Sequence, residues 1–529
     1  MLTQEKLDKI EKIKELEKIE TRGYQNPFRP NTSEIKLSLL TLLLGFLFIR
    51  WVFFAFKGVG VFLFSLLFSI IAISTLRKEE SFDVKSAQAW FGFTIALGMS
   101  YATFDNAMLL PFKNIILIFT AAYAVLASSG NRVKNELGNW LVIDLIYALG
   151  IMPFSNFSLE FKAIYAMRTK GQGEYNRMTS IAMGMLMTGF ILVLVLPLLI
   201  SADTGGFSEL FKWMNHWSFW NEEAFTENVF SLIFGIPVSA YFYGLFIGCK
   251  NSEGLGLDRE RRLSVQYEKY RFIQPLSAKI VLGFMMALYL VFILTQLPFY
   301  ISAMNGILPE ESSSYAAYAR NGFFELIKVA FINVIMLATG AALSRKKAYV
   351  KRDQVELRIL GIGISIITLF LILTAFSKMY LYISVYGLTL RRLMPCMFMI
   401  WMALALLLWM FRPHYCIRES LILGAIAFIL ISNANISGFV VDYNANRFLE
   451  GTLNQFDLSV LSQSGSSGIV TAERLLAQKE KFASDPHLIA NIEEYLWSQS
   501  QYLNAEKWTF QDTLGNWRGR QILLTLDDN

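Results

Sequence analysis

Eleven apolar runs, each long enough for a helix to cross a bilayer, fill most of the middle of this 529-residue sequence. A crossing helix needs about 20 predominantly apolar residues. The runs fall at about 35–56, 59–76, 87–104, 107–129, 178–200, 225–249, 277–302, 322–343, 358–380, 393–411 and 418–437, and the third is the most polar. Another stretch, Trp140 to Pro153, is shorter and is interrupted by Asp144. That length suits an interfacial or re-entrant helix better than a crossing one. The expected fold is all-α, a polytopic membrane protein with about eleven transmembrane helices at 35–437.

Charge distribution supports the same division. Charged residues make up 17% of the chain, against about a quarter in soluble domains. Residues 1–34 carry 7 basic and 7 acidic side chains, and residues 438–529 carry 7 and 12. The long stretch between them holds only 34 basic and 23 acidic residues, too few for a water-facing surface. A disordered chain and a disulfide scaffold are excluded, since Cys249, Cys396 and Cys416 are scattered among apolar spans. The first apolar run follows about 34 polar residues, too many for a secretory signal, so it is expected to be an uncleaved anchor.

Loop charge sets the direction. With eleven spans, the loops on the amino-terminal side carry 29 Lys and Arg. The opposite loops carry 5, namely Lys57, Lys212, Arg320, Arg391 and Arg392. The positive-inside rule then makes the N-terminus cytoplasmic and residues 438–529 extracytoplasmic. A full span at 140–153 would move Arg259–Arg262 and Arg345–Lys347 outside, against that rule. Residues 5–20 alternate Glu and Lys around Leu7, Ile10, Ile13, Leu16 and Ile19, as in a short charged helix. The segment 438–529 has apolar residues at helical spacing and is expected to form a small helical domain, with a flexible break at Ser464–Gly468.

The sequence carries no catalytic motif, which favours a non-enzymatic protein without cofactor or metal. No phosphate-binding loop is present. His216, His414 and His487 have no paired spacing. The basic loops do not alternate with aromatics in a soluble domain, so nucleic acid is not an expected partner, whereas the lipid bilayer is. Trp213, Trp217 and Trp220 share one helical face, as in an outer interfacial helix. Arg50, Lys113, Glu325, Lys328 and Lys378 lie within or near spans, where charge is costly and often functional.

The segment Tyr318-Ala319-Arg320-Asn321-Gly322-Phe323-Phe324-Glu325-Leu326 resembles bacterial multi-pass membrane proteins grouped as domain of unknown function 4173, related to group 4153. So do Gln296–Tyr300, Tyr382 with Tyr386-Gly387-Leu388-Thr389 and Arg392, and Asn435 with Asp442-Tyr443-Asn444 and Arg447. The sequence departs from the group's pattern at Lys378, where Arg is expected, and at Ile436, where Pro is frequent. The resemblance implies a bacterial plasma-membrane protein, with no assigned substrate or catalytic residue.

In the eleven-span topology, Arg320, Glu325, Lys378, Tyr382, Arg391, Arg392, Asp442, Asn444, Asn446 and Arg447 all lie on the outer side. One reading gathers them into a single site, with Arg320 and Arg392 contacting an anionic ligand or envelope partner. The other makes them an ion-pair network, for example Arg320 with Glu325 or Asp442, fixing the C-terminal domain to the bundle. Envelope transport or sensing is the expected role. The alternatives are a transferase using a lipid-linked donor and a scaffold or sensor acting through its outer domain.

Overall fold

The computed structural model describes residues 30–527, apart from 55, 135–136, 139, 170–221 (except 184, 188 and 195), 253–262, 266–270, 305–314, 344–350, 414, 484 and 506–511. The charged stretch 5–20, the run 178–200, Trp213, Trp217, Trp220 and the basic clusters at 259–262 and 345–347 lie outside the described residues, as does the side chain of Arg320.

Among the described residues there is no β-strand. The principal helices are α1 (Thr32–Leu47), α2 (Val59–Leu76), α3 (Val84–Thr103), α4 (Leu110–Ser128), α5 (Leu159–Thr169), α6 (Glu222–Asn251), α7 (Pro275–Met304), α8 (Tyr315–Leu343), α9 (Lys351–Tyr386), α10 (Leu390–Phe411), α11 (Cys416–Asn433), α12 (Ile436–Leu449), α13 (Ile469–Ala477), α14 (Pro486–Ala505) and α15 (Leu514–Asp527). Nine helices among the described residues are long and apolar enough to cross a membrane, so the fold is all-α, polytopic and membrane-type. Each corresponds to one of the apolar runs. The run at 87–104 forms α3, which falls outside that set. The stretch from Trp140 breaks in the middle: Leu141–Ser155 and Leu159–Ala166 are bent by 42°, as in a broken span or a re-entrant loop.

Two compact units divide the chain. One comprises residues up to Phe54, Ile70–Glu80 and Tyr147–Ser252. Here α1 begins at a capping box, in which the Asn31 side chain accepts from the Glu34 N–H and the Glu34 carboxylate from the Asn31 N–H. It then runs along α6 at Gly45 and Gly235. A Cβ on Gly45 would collide with the Gly235 carbonyl, so small residues allow the two backbones this close approach. The buried face of the pair carries Ser38, Thr41, Ser231 and Ser239, while Leu40, Leu43, Ile233 and Phe234 point outward. That distribution is the reverse of a water-soluble protein and suits a hydrocarbon surround.

The other unit holds Ala55–Ser69, Ser81–Ile146 and Glu253–Asn529. Helices α7, α8, α9 and α10 share a core of Phe323, Leu326, Ala330, Ile364, Leu371 and Met399. Within it, Asn333 accepts from the Tyr289 hydroxyl at 2.6 Å and donates to Thr368 Oγ1 at 3.0 Å, linking three helices. Residues 436–527 form short helices around Val440, Val441, Leu461, Ile469, Leu475 and Ile492, continuous with Leu388. They meet the chain near two other helix ends: the Val59 N–H donates to the Asp512 carbonyl at 3.2 Å, and the Ser437 hydroxyl donates to Asn106 Oδ1 at 3.3 Å. Ser464–Gly468 is not a loose break. It includes a 3₁₀ turn at Gly465–Gly468, fastened where the Tyr495 hydroxyl donates to the Gly465 carbonyl and Ser466 donates to Asn516 at 2.8 Å. Burial raises the Tyr495 phenol to about 12, so it stays a donor.

Ion pairs sit at helix ends. Lys250 bonds Glu34 at 2.9 Å and reaches Glu79 at 3.7 Å. Arg132 pairs with Asp83 at 3.2 Å, Lys279 with Asp353 at 2.6 Å and with Glu356, and Arg412 with Glu419 at 3.0 Å. Arg50 pairs with Glu227. In every case both partners belong to ends that loop charge assigns to one side.

Candidate functional site

A helix leaves its last carbonyls without intrahelical partners, and at the end of α9 side chains from elsewhere supply them. Gly387 follows α9 with φ of +77°, the left-handed conformation that stops a helix at low cost in glycine. Arg447, from α12, donates to the carbonyls of Ile383 at 3.1 Å, Ser384 at 2.8 Å and Thr452 at 2.9 Å. Arg392, one turn into α10, donates to the Tyr386 carbonyl at 2.9 Å and to the Gly387 carbonyl. Its guanidinium lies 4.1 Å over the Tyr382 ring, and Tyr382 in turn meets Tyr386 edge-on at 5.2 Å. Two cations thus face the negative end of the α9 dipole. Buried Asn444 pairs with the backbone of Leu388 on both its N–H and its carbonyl.

Seven of the residues in the resembling motifs therefore meet at one turn: Tyr382, Tyr386, Gly387, Leu388, Arg392, Asn444 and Arg447. The other predicted site residues are placed differently. Asp442 pairs with Arg474 at 2.9 Å and accepts from Thr471 at 3.0 Å, which ties α12 to α13. Arg391 and Asn446 are exposed. Glu325 and Lys328 form a pair at 3.7 Å in which both side chains are more than half exposed. Lys378 is buried with its ammonium packed against Gly322, where a Cβ would collide with it. Arg320 lies on α8.

Sequence reasoning did not single out Glu160 of α5. It is fully buried, with its two carboxylate oxygens accepting from Thr41 at 2.8 Å and Ser239 at 2.9 Å. The available signal was the pattern of its helix. Phe161, Lys162 and Tyr165 are exposed, while Glu160 and Ala163 face inward, so the acid lies on the small-residue face. Lys113, flagged as an intraspan charge, is buried and donates to the Ser100 carbonyl at 3.0 Å, 4.4 Å from the Tyr101 ring. Among the described residues no group of three His, Cys, Asp or Glu side chains could hold a metal ion.

No curated protein and no solved structure matches the chain. Residues 91–475 match the family described as Domain of unknown function (DUF4153), the group to which the motif resemblance is related. The match takes in α4 to α12 and the whole α9–α10 turn with its partners, and it covers more than half of the sequence, so the chain belongs to the DUF4153 family.

Proposed function

We propose that the chain is a membrane sensor or scaffold of the bacterial cell envelope, in which the C-terminal helices couple to the spans through the α9–α10 turn. One observation carries this reading. The three polar side chains that converge on the turn, Arg392, Asn444 and Arg447, bond its backbone, and two of them come from α12. Moving α12 therefore means unmaking the cap of α9, so a displacement on one side has a direct mechanical route to the other. These guanidiniums serve backbone carbonyls, which supports the docking role over an anion site. An anionic ligand or envelope partner bound by Arg320 and its neighbours is the alternative, with Arg391 and Asn446 exposed for it. The eleven-span topology, with the N-terminus cytoplasmic and 438–529 outside, is part of this proposal and is supported by the same-side ion pairs. The Tyr-Gly-Leu-Thr-x-x-Arg element supports placing the chain near group 4173 within its family.

Hydrogen exchange tests the coupling. In lipid nanodiscs, Arg447→Ala is expected to speed exchange both in α12 and in the last turns of α9. Faster exchange in α12 with an unchanged α9 would remove the coupling and leave a passive docking contact. Transport is the second reading, and the buried carboxylate of Glu160 favours it.

A further inference from the structure

The geometry points to Glu160 as a proton-binding site, a carboxyl that gains and loses H⁺ between the hydroxyls of Thr41 and Ser239. It rests on contacts within the unit that holds α1, α5 and α6, independent of the α9–α10 turn. Glu160 is 0% exposed. Among the described residues no cation pairs with it, and its hydrogen-bond partners there are the two hydroxyls. A buried charge without a counterion is costly, and acids in such positions within membrane proteins mark proton or ion sites by default.

Hydrogen counting gives the site its character. A hydroxyl has one hydrogen to donate. Thr41 Oγ1 lies within bonding distance of three acceptors: the Leu37 and Ser38 carbonyls, both at 3.0 Å, and Glu160 Oε1. Ser239 Oγ has two, the Ile236 carbonyl at 2.7 Å and Glu160 Oε2. When Glu160 is ionised, both hydroxyl hydrogens turn to the carboxylate. When it takes up H⁺, the new O–H donates to one of the two hydroxyl oxygens. That hydroxyl then turns its own hydrogen to the carbonyl of its helix. Both protonation states are fully bonded with every heavy atom in place, so the proton can exchange without repacking.

Among the described residues the surroundings supply a neighbouring titratable group and no cation bonded to Glu160. From α6, Tyr243 lies within electrostatic reach of both Glu160 and Glu34, and its hydroxyl donates to the Glu34 carbonyl at 3.3 Å. Glu34 of α1 is engaged by Lys250 of α6. Lys36 of α1 and Lys162 and Tyr165 of α5 are exposed.

Infrared difference spectroscopy on the full chain in lipid nanodiscs tests this, with buffer pH and D₂O as the probes. A protonated-carboxyl band should appear as pH falls, shift in D₂O and be lost in Glu160→Gln. Thr41→Val and Ser239→Ala each remove a donor to the ionised form. Each should raise the band's midpoint, by about tenfold in proton affinity. A band that survives Glu160→Gln, or that ignores both pH and D₂O, overturns the proposal. So does a band removed by Na⁺ or K⁺ at constant pH, which would make the site a metal-cation site. If Glu160→Gln does not assemble, the two hydroxyl variants carry the test, since an unmoved midpoint in both overturns it equally.

Discussion

Asn444 turns its carboxamide onto the backbone of Leu388, accepting from the N–H at 2.7 Å and donating to the carbonyl at 2.7 Å. The pair is buried and lies 56 positions apart in sequence. One side chain thus satisfies both main-chain groups of a residue just beyond a helix end. Asn444→Ala leaves two buried polar groups without partners, at a cost of about 1–3 kcal/mol each. Asn444→Asp keeps the acceptor but sets a carboxylate against the Leu388 carbonyl, so it should not rescue. Thermal unfolding in detergent checks both, and an unchanged midpoint for Asn444→Ala removes this contact from the account.

Gly387 should be equally intolerant. Its φ of +77° costs a side-chain-bearing residue about 1–2 kcal/mol. A Cβ there would also lie 2.7 Å from Asn444 Oδ1. Gly387→Ala is therefore expected to destabilise more than the backbone term alone. Combined with Asn444→Ala, which removes the collision, its added cost should shrink, and a double-mutant cycle on unfolding midpoints measures that coupling.

Inside the α7–α8–α9 bundle, Asn333→Leu strands the Tyr289 hydroxyl and removes a donor to Thr368, whose own hydrogen still goes to the Ile364 carbonyl. Interhelical hydrogen bonds in membrane proteins average ~0.6 kcal/mol and reach ~1.7. A modest loss of that order is expected, largely recovered by adding Tyr289→Phe. A variant as stable as the parent would mean that packing alone holds these helices together.

Acid should loosen the turn before α3. The Ser86 hydroxyl donates to Asp83 at 2.6 Å, and this bond, followed by backbone N–H bonds and the Arg132 charge, holds the carboxyl below its ordinary value. A lowered folded-state pKa means stability that is complete above the unfolded pKa, about 3.9, and is lost as pH falls through the folded one. Asp83→Asn should lower the melting temperature at neutral pH and flatten its acid dependence. Because the Asp83 side chain is 38% exposed, the effect will be small and sensitive to salt. An acid slope identical in parent and variant assigns it to other carboxylates.

Orientation can be read with an impermeant thiol reagent in intact cells. Lys78 and Gln463 are exposed, at ends that loop charge places inside and outside. A cysteine at 463 should react and one at 78 should not, in a background free of Cys249, Cys396 and Cys416. The reverse pattern inverts the topology.

Much of the fold is legible along the chain because the bilayer makes local composition decisive. About 20 apolar residues must become a helix, since in hydrocarbon only internal hydrogen bonds satisfy the backbone. Among the described residues nine runs accordingly appear as helices able to span. Tyr382, Arg392, Asn444 and Arg447 of the α9–α10 turn were likewise visible as members of one polar set.

Their roles were not, and the reason is physical. A guanidinium reads the same in sequence whether it binds an anion or a carbonyl, and the partners of Arg392 and Arg447 are backbone oxygens with no residue signature. Glu160 falls in none of the apolar runs, and an inward acid beside outward Phe161 and Tyr165 inverts the amphipathic pattern of soluble helices. The turn at Gly465–Gly468 has a linker's composition and is fastened by residues far along the chain, the Tyr495 hydroxyl 30 positions away and Asn516 50 positions away. Sequence determined which segments are apolar enough to become long helices. Tertiary structure alone decided which polar groups meet, because hydrogen-bond partners are chosen by distance in space, and no spacing along the chain encodes it.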